Sequence, residues 1–277
     1  MIKALENRIT KTPYMLKNSF ARSFSIVTPE FVYYYLNQLV TFGFAYLIGT
    51  GQYGTEVSVK FSNNSTMWAV LIRITALIIA TLPLLWSFAK EYPRILPSSY
   101  KRVIRISYVT ILAIASSILV NVIAQSSGFT KTSESFAKTA STQFSLPLWL
   151  GIIVYGIVTP VTEEIVHRGI IYNRLRRYFN LPIAVIAGSL LFGISHGNLV
   201  QLVYATLMGI FICCVYERYG SFVYPVLFHC ISNTAVYIFM SIPLLRSAVF
   251  SVFGIVLEAL FTIASLYLIF SEKTIDT

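Results

Sequence analysis

Residues 146–179 read LPLWLGIIVYGIVTPVTEEIVHRGIIYNRLRRYF. An apolar run from Leu146 to Thr162 leads into Glu163 and Glu164, and the chain then stays compatible with a helix through Phe179, with no further proline until Pro182. If the helix stops at Glu163, this is an ordinary span with two acids at its end. If it continues to the basic cluster Arg174, Arg176 and Arg177, it is one long helix with its acids inside the membrane. The choice matters because an ionisable residue within the hydrocarbon is costly and marks a functional site by default.

The rest of the chain favours a membrane setting. Its 277 residues are 56% hydrophobic and only 12% charged, with a mean hydropathy of +0.71. A soluble domain carries about 25% charged residues, so a soluble enzyme, a disordered chain and a collagen-like chain are all excluded. The expected fold is all-α, a polytopic membrane protein with about eight transmembrane helices. Of the eleven acids only Asp276, in the tail, is an aspartate. An intramembrane aspartyl dyad and a Ser-His-Asp triad are thereby excluded. The histidines are His167, His196 and His229.

The spans are expected at about Phe31–Thr50, Met67–Phe88, Val103–Ala124, the long segment from Leu146, Pro182–His196, Leu199–Tyr216, Phe222–Leu244 and Ala248–Phe270. Gly197 and Asn198 alone join the fifth and sixth, which makes those two antiparallel neighbours. With the N-terminus inside, sixteen basic residues fall on the cytoplasmic side and four outside, with Arg73 in a span. The net charge of +10 is therefore an orientation signal. No basic run is interleaved with aromatics, so nucleic acid is not an expected partner. Gly51–Thr66 and Gln125–Gln143 are expected to be flexible external loops, from their Ser, Thr and Gly content. The organisation reads as a basic cytoplasmic segment 1–29, helices and loops over 30–144, a chemical core over 145–245 and a last helix with its tail over 246–277. Cys213, Cys214 and Cys230 lie in apolar stretches and imply no disulfide framework. No cleavable signal peptide and no internal repeat is visible.

Three short patterns carry the chemistry. At i, i+4 spacing Glu164 faces Arg168 and Glu163 faces His167. One pair can be an ion pair, which leaves the other carboxylate available. The second pattern, Phe192 to His196, closes the fifth span; the third, His229 to Asn233, puts an imidazole and a carboxamide on one face of the seventh. With a long fourth helix, Glu163 lies roughly 16 Å above Arg174, His196 roughly 21 Å above Pro182, and His229 and Asn233 roughly 11 and 17 Å above Phe222. All four then fall near the middle of a core about 30 Å thick. If the helix is short they cannot meet. His167 is expected to orient Glu163 or to pack, Glu258 to hydrogen-bond within the last span, Arg73 to snorkel or pair, and Asn37 and Gln38 to pack between helices.

Together, Glu163-Glu164-x-x-x-Arg168, Phe192-x-x-x-His196 and His229-x-x-x-Asn233 resemble, in order and in placement, the motifs of the CAAX-prenyl-protease and bacteriocin-processing family, also called the Abi family. The resemblance covers roughly residues 145 to 245. It implies an intramembrane endopeptidase in which Glu163 is the general base and, with His196, activates a water. His229 and Asn233 would hold the oxyanion, with Glu164 and Arg168 as supporting residues. No cofactor is expected. Zinc is the alternative, on Glu163, His196 and His229. The zincin His-Glu-x-x-His and the serine-type Gly-x-Ser-Gly patterns are absent.

The expected substrate is a membrane-associated peptide or a membrane-protein segment, met within the bilayer. A prenylated substrate is not expected. The setting implied is the plasma membrane of a bacterium, with both termini cytoplasmic. The alternative reading is a non-catalytic membrane partner, either a bacteriocin self-immunity factor or a regulator of a sensor kinase. A transporter coupling site at Glu163, Glu164 and Arg168 is disfavoured by the lack of repeats.

Overall fold

The computed structural model describes residues 19–49, 65–91 and 102–272, and among these every regular element is helical. Helix α1 is Ser19–Gly49 and α2 is Ser65–Glu91, with a 3-10 turn at Leu82–Leu84. Helix α3 is Arg102–Ser126, α4 is Glu134–Phe144 and α5 is Leu148–Tyr178. Helices α6 (Leu181–Ile194), α7 (Leu199–Tyr219), α8 (Val223–Ser241), α9 (Pro243–Val249) and α10 (Val252–Ser271) complete the chain.

The protein is a multi-pass membrane protein. Among the described residues six helices, α2, α3, α5, α7, α8 and α10, are long and apolar enough to cross a bilayer. The two other expected spans fall short for different reasons. Helix α6 has 14 residues, roughly 21 Å of rise against a core of about 30 Å. Helix α1 is long enough, but Tyr33, Tyr34, Tyr35, Asn37 and Gln38 dilute its apolar character. The bundle turns large apolar side chains outward, as Val252, Phe253, Ile263 and Tyr267 do on α10, which is how a chain presents itself to lipid rather than to water.

Two expectations are corrected. The helix that carries the first expected span is already formed at Ser19, with Pro29 inside it, so Glu30 lies within α1 and not at its border. The segment Gln125–Gln143, expected to be a flexible loop, is ordered. It makes a 3-10 turn over Phe129–Thr132 after Gly128 and then α4, whose start is capped by Ser133 Oγ accepting from the Phe136 N–H at 3.2 Å. Of the expected loop Gly51–Thr66, all but the last two residues lie outside the described residues.

The segment from Leu148 to Tyr178 is one long helix, as the depth argument requires. It is not uniformly wound: π-helical stretches at Ile152–Val158 and Ile165–Tyr172 flank a regular turn at Thr159–Glu164. Helix α5 packs against α8 and α1, while α6 lies on α7, α8 and α10 on α3, and α1 on α2. The α6–α7 pair is tight because Gly193 carries no side chain: a Cβ there would stand 2.5 Å from the Leu202 carbonyl oxygen. This close approach fixes the end of α6, three residues before His196.

At one end of the bundle the basic residues are held by carboxylates. Arg105 pairs with Glu272 at 2.9 Å, Arg174 with Glu91 at 3.1 Å and Arg176 with Glu217 at 2.7 Å. Arg177 also pairs with Glu91, and Arg218 donates to the Ile269 carbonyl at 2.7 Å.

Candidate active site

Successive side chains on a helix diverge by about 100°, so Glu163 and Glu164 point into different surroundings. Glu164 is fully buried. Its Oε1 accepts from Arg168 Nη1 at 2.8 Å and from His229 Nδ1 at 2.7 Å. Arg168 is also fully buried; its Nη2 donates to the Gly209 carbonyl at 3.4 Å and its guanidinium lies 4.3 Å over the Phe192 ring. Glu163 turns instead into a cavity of about 360 Å³ enclosed by α1, α2, α3, α4, α5, α6, α7 and α8.

His196, His229 and Asn233 line the same cavity. Their hydrogen bonds fix how each ring presents itself. His196 Nδ1 sits 2.9 Å from the Phe192 carbonyl. A carbonyl only accepts, so Nδ1 carries the proton and Nε2 of the neutral ring holds a lone pair. His229 Nδ1 donates to Glu164, and Nε2 lies 3.8 Å from Glu163 Oε2. Asn233 Nδ2 donates to the Tyr155 carbonyl at 3.1 Å, within the first π-helical stretch of α5. A carboxamide has a second N–H and a carbonyl oxygen, so Asn233 has further hydrogen-bonding capacity beyond that tie.

The structure therefore brings Glu163 of α5, His196 of the turn after α6, and His229 and Asn233 of α8 to one cavity and sets Glu164 and Arg168 behind it. The expected pairing of Glu163 with His167 does not occur. His167 Nε2 lies 3.1 Å from Glu30 Oε2 on α1. The winding from Ile165 onward is of the π type, which shifts the stacking of side chains away from i, i+4. The long arginine side chain at 168 still reaches back; the short imidazole at 167 does not. Among the described residues no group of three or more His, Cys, Asp or Glu side chains is arranged to hold a metal ion.

Phe192 is the hub of the arrangement. The rings of His167, His196 and His229 stand edge-on to it, with centroids at 4.9, 5.0 and 5.5 Å.

Several cavity residues were not expected from the sequence. Helix α1 contributes Glu30, Tyr33, Tyr34, Asn37 and Gln38, which recur at i, i+3, i+4, i+7 and i+8 as a polar stripe on one face. That periodicity is the signal that could have found them. Tyr33 Oη and Thr162 Oγ1 share a hydrogen bond of 3.0 Å, and Arg73 on α2 donates to Asn37 Oδ1 at 3.3 Å. Helix α4 lines one end of the cavity with Phe136, Thr139, Ala140, Gln143 and Phe144.

Comparison with known proteins bears on the part of the chain that carries this geometry. Residues 145–235 match the family described as type II CAAX prenyl endopeptidase Rce1-like. A Bacillus subtilis (strain 168) protein named "Putative membrane peptidase YdiL" is 38% identical over 89 residues, which is 32% of this chain and 36% of that protein. The aligned region thus spans about a third of the curated relative's length. No solved structure matches the chain. The likeness to CAAX-type proteases read from the three motifs is borne out by these matches, over the segment that forms α5 to α8.

Proposed function

We propose that the chain is an intramembrane endopeptidase of the CAAX-protease type, hydrolysing a peptide bond with a water activated by Glu163. The observation that carries this reading is the arrangement of two neighbouring carboxylates. Glu164 is neutralised by Arg168 behind the cavity, while Glu163 faces the cavity with His196 and His229.

In this reading a water sits between Glu163 and the lone pair of His196 Nε2. Glu163 takes a proton as the water oxygen bonds to the carbonyl carbon of the substrate. The carbonyl π electrons move to oxygen, and the oxyanion accepts from Asn233 and from His229 Nε2–H. Glu164 is the acceptor that a doubly protonated His229 needs at Nδ1, so the buried acid supports the oxyanion hole at one remove. Collapse of the tetrahedral species breaks the carbon–nitrogen bond, the proton passes from Glu163 to the leaving amine, and Glu163 returns as carboxylate. Every group this scheme requires is a side chain, and no cofactor is proposed.

The substrate class is a membrane-associated peptide or a segment of a membrane protein, entering from the bilayer. The setting is the plasma membrane of a bacterium, with both termini cytoplasmic. The test is cleavage of a quenched-fluorescence peptide library by the full chain in nanodiscs, compared with Glu163→Ala and His196→Ala. Loss of a general base costs about 100-fold or more in rate. Cleavage retained by both variants would sink the reading and leave a binding role.

A further inference from the structure

We propose that Arg73 is a substrate-recognition residue whose guanidinium takes a carboxylate of the peptide substrate, about two residues from the bond under attack. The inference rests on the peptidase reading for what the ligand is, but the observations that carry it stand apart from the catalytic residues.

Arg73 lies within the apolar helix α2. It lines the same cavity as Glu163. Its hydrogen bond there is to the neutral Asn37 Oδ1 at 3.3 Å, and among the described residues no carboxylate lies within ion-pair reach of it. Arg73 is half-buried, whereas Arg168, fully buried, is matched by Glu164. A guanidinium at membrane depth with donors to spare is costly unless something anionic completes it. The planar fork of an arginine fits a carboxylate bidentately.

The spacing follows from α1, which crosses the cavity as a ruler. Tyr33 bonds Thr162, the neighbour of Glu163, and Asn37 bonds Arg73. Four residues of helix separate these levels, roughly 6 Å of rise. An extended peptide advances about 3.3 Å per residue, so a carboxylate at Arg73 is about two residues from a carbonyl at Glu163. The cavity is also lined by the neutral Tyr34, Gln38 and Tyr155, and its one arginine is Arg73. Arg73 also lies outside the segment 145–235 shared with the peptidase family, so this preference belongs to the N-terminal helices of this chain.

The carboxylate can be a free chain terminus or an Asp or Glu side chain. Three probes separate these: acetyl-trileucine as the acid, acetyl-trileucine as the amide, and acetyl-Leu-Leu-Asp amide. Binding is measured to the full chain carrying Glu163→Gln, to block turnover, in phosphatidylcholine nanodiscs. The acid is expected to bind at least about 10-fold more tightly than the amide, as a charge-assisted hydrogen bond gives, and Arg73→Gln is expected to abolish the difference. An Asp probe that behaves as the acid assigns the site to side-chain carboxylates as well; one that behaves as the amide assigns it to chain termini. Equal affinity for acid and amide, no binding of either, or discrimination that survives Arg73→Gln overturns the proposal. Should Arg73→Gln not fold, Arg73→Lys is read instead: as a point charge without the fork it is expected to weaken the acid and spare the amide, and an unchanged affinity for the acid overturns the proposal. Since binding is read without turnover, its failure is distinct from a failure of the Glu163→Ala cleavage test.

Discussion

Glu164 holds the Arg168 guanidinium at 2.8 Å and His229 Nδ1 at 2.7 Å through a single oxygen. With both partners buried, the pair is expensive to break from one side. Glu164→Ala leaves a guanidinium in the interior without its counter-charge, and removal of one partner of such a pair costs about 3–5 kcal/mol. The double variant Glu164→Gln with Arg168→Met removes both charges and is expected to be milder than the single one. Chemical unfolding of the two in detergent measures this, and a double variant less stable than Glu164→Ala contradicts the pairing. Glu163 is expected to behave otherwise: Glu163→Gln should leave the unfolding midpoint near that of the parent, because its carboxylate faces a cavity and not a buried cation. The sequence made the two acids legible as a pair with separate tasks, because i, i+4 spacing named Arg168 as the partner of one of them. It did not make Glu30 legible. That residue stands directly before the run Phe31–Thr50, while its partner, His167, lies far along the chain. A contact of that kind leaves no local pattern.

Helix α5 was legible as long because nothing between Ile165 and Phe179 stops a helix and because the basic cluster at Arg174–Arg177 marks a membrane boundary. Its π-helical stretches were not, since a reading by the 3.6-residue period has no signal for a locally wider turn. The cost of that gap was the wrong partner for His167. Helix α4 was missed for a different reason: its Ser and Thr content suggested a loop, although Ser133 before Glu134 is a helix-start signal and Phe136, Ala140 and Phe144 recur every fourth residue. The helix is fastened to the bundle by Tyr237, whose hydroxyl donates to the carbonyls of Gln143 and Leu146, each at 3.0 Å, and whose ring stacks on Phe144 with centroids 5.3 Å apart. Tyr237→Phe keeps the stacking and removes the tether, each hydrogen bond being worth about 0.5–1.5 kcal/mol. Faster amide hydrogen exchange is expected over Glu134–Phe144, with α7 and α10 unchanged. Exchange that stays the same over that helix shows that Tyr237 does not hold it.

Across the whole molecule the two ends differ in chemistry. One end gathers Glu91, Arg105, Arg174, Arg176, Arg177, Glu217 and Glu272 into ion pairs between helices; the other carries α4 over the cavity mouth. The excess of basic residues in the connections at the first end is what the positive-inside bias reads, and pairing with Glu91, Glu217 and Glu272 does not cancel it, because basic residues outnumber acids 21 to 11 in the chain. The catalytic-type segment and the N-terminal helices meet in a shared apolar core, in the ion pairs to Glu91 and at the cavity, where α1 and α2 add Glu30 and Arg73 to residues of α5 to α8. The orientation expected from charge therefore also fixes which side of the membrane α4 faces. Lys138, exposed on α4, and Ser271, exposed at the end of α10, are suited to test this. In intact cells Lys138→Cys is expected to react with a membrane-impermeant thiol reagent, whereas Ser271→Cys is expected to react only after permeabilisation. The parent chain is the blank, since its cysteines Cys213, Cys214 and Cys230 lie within α7 and α8. If Ser271→Cys labels in intact cells while Lys138→Cys does not, the bundle is inverted, and a substrate would then meet the α4 end of the cavity from the cytoplasm.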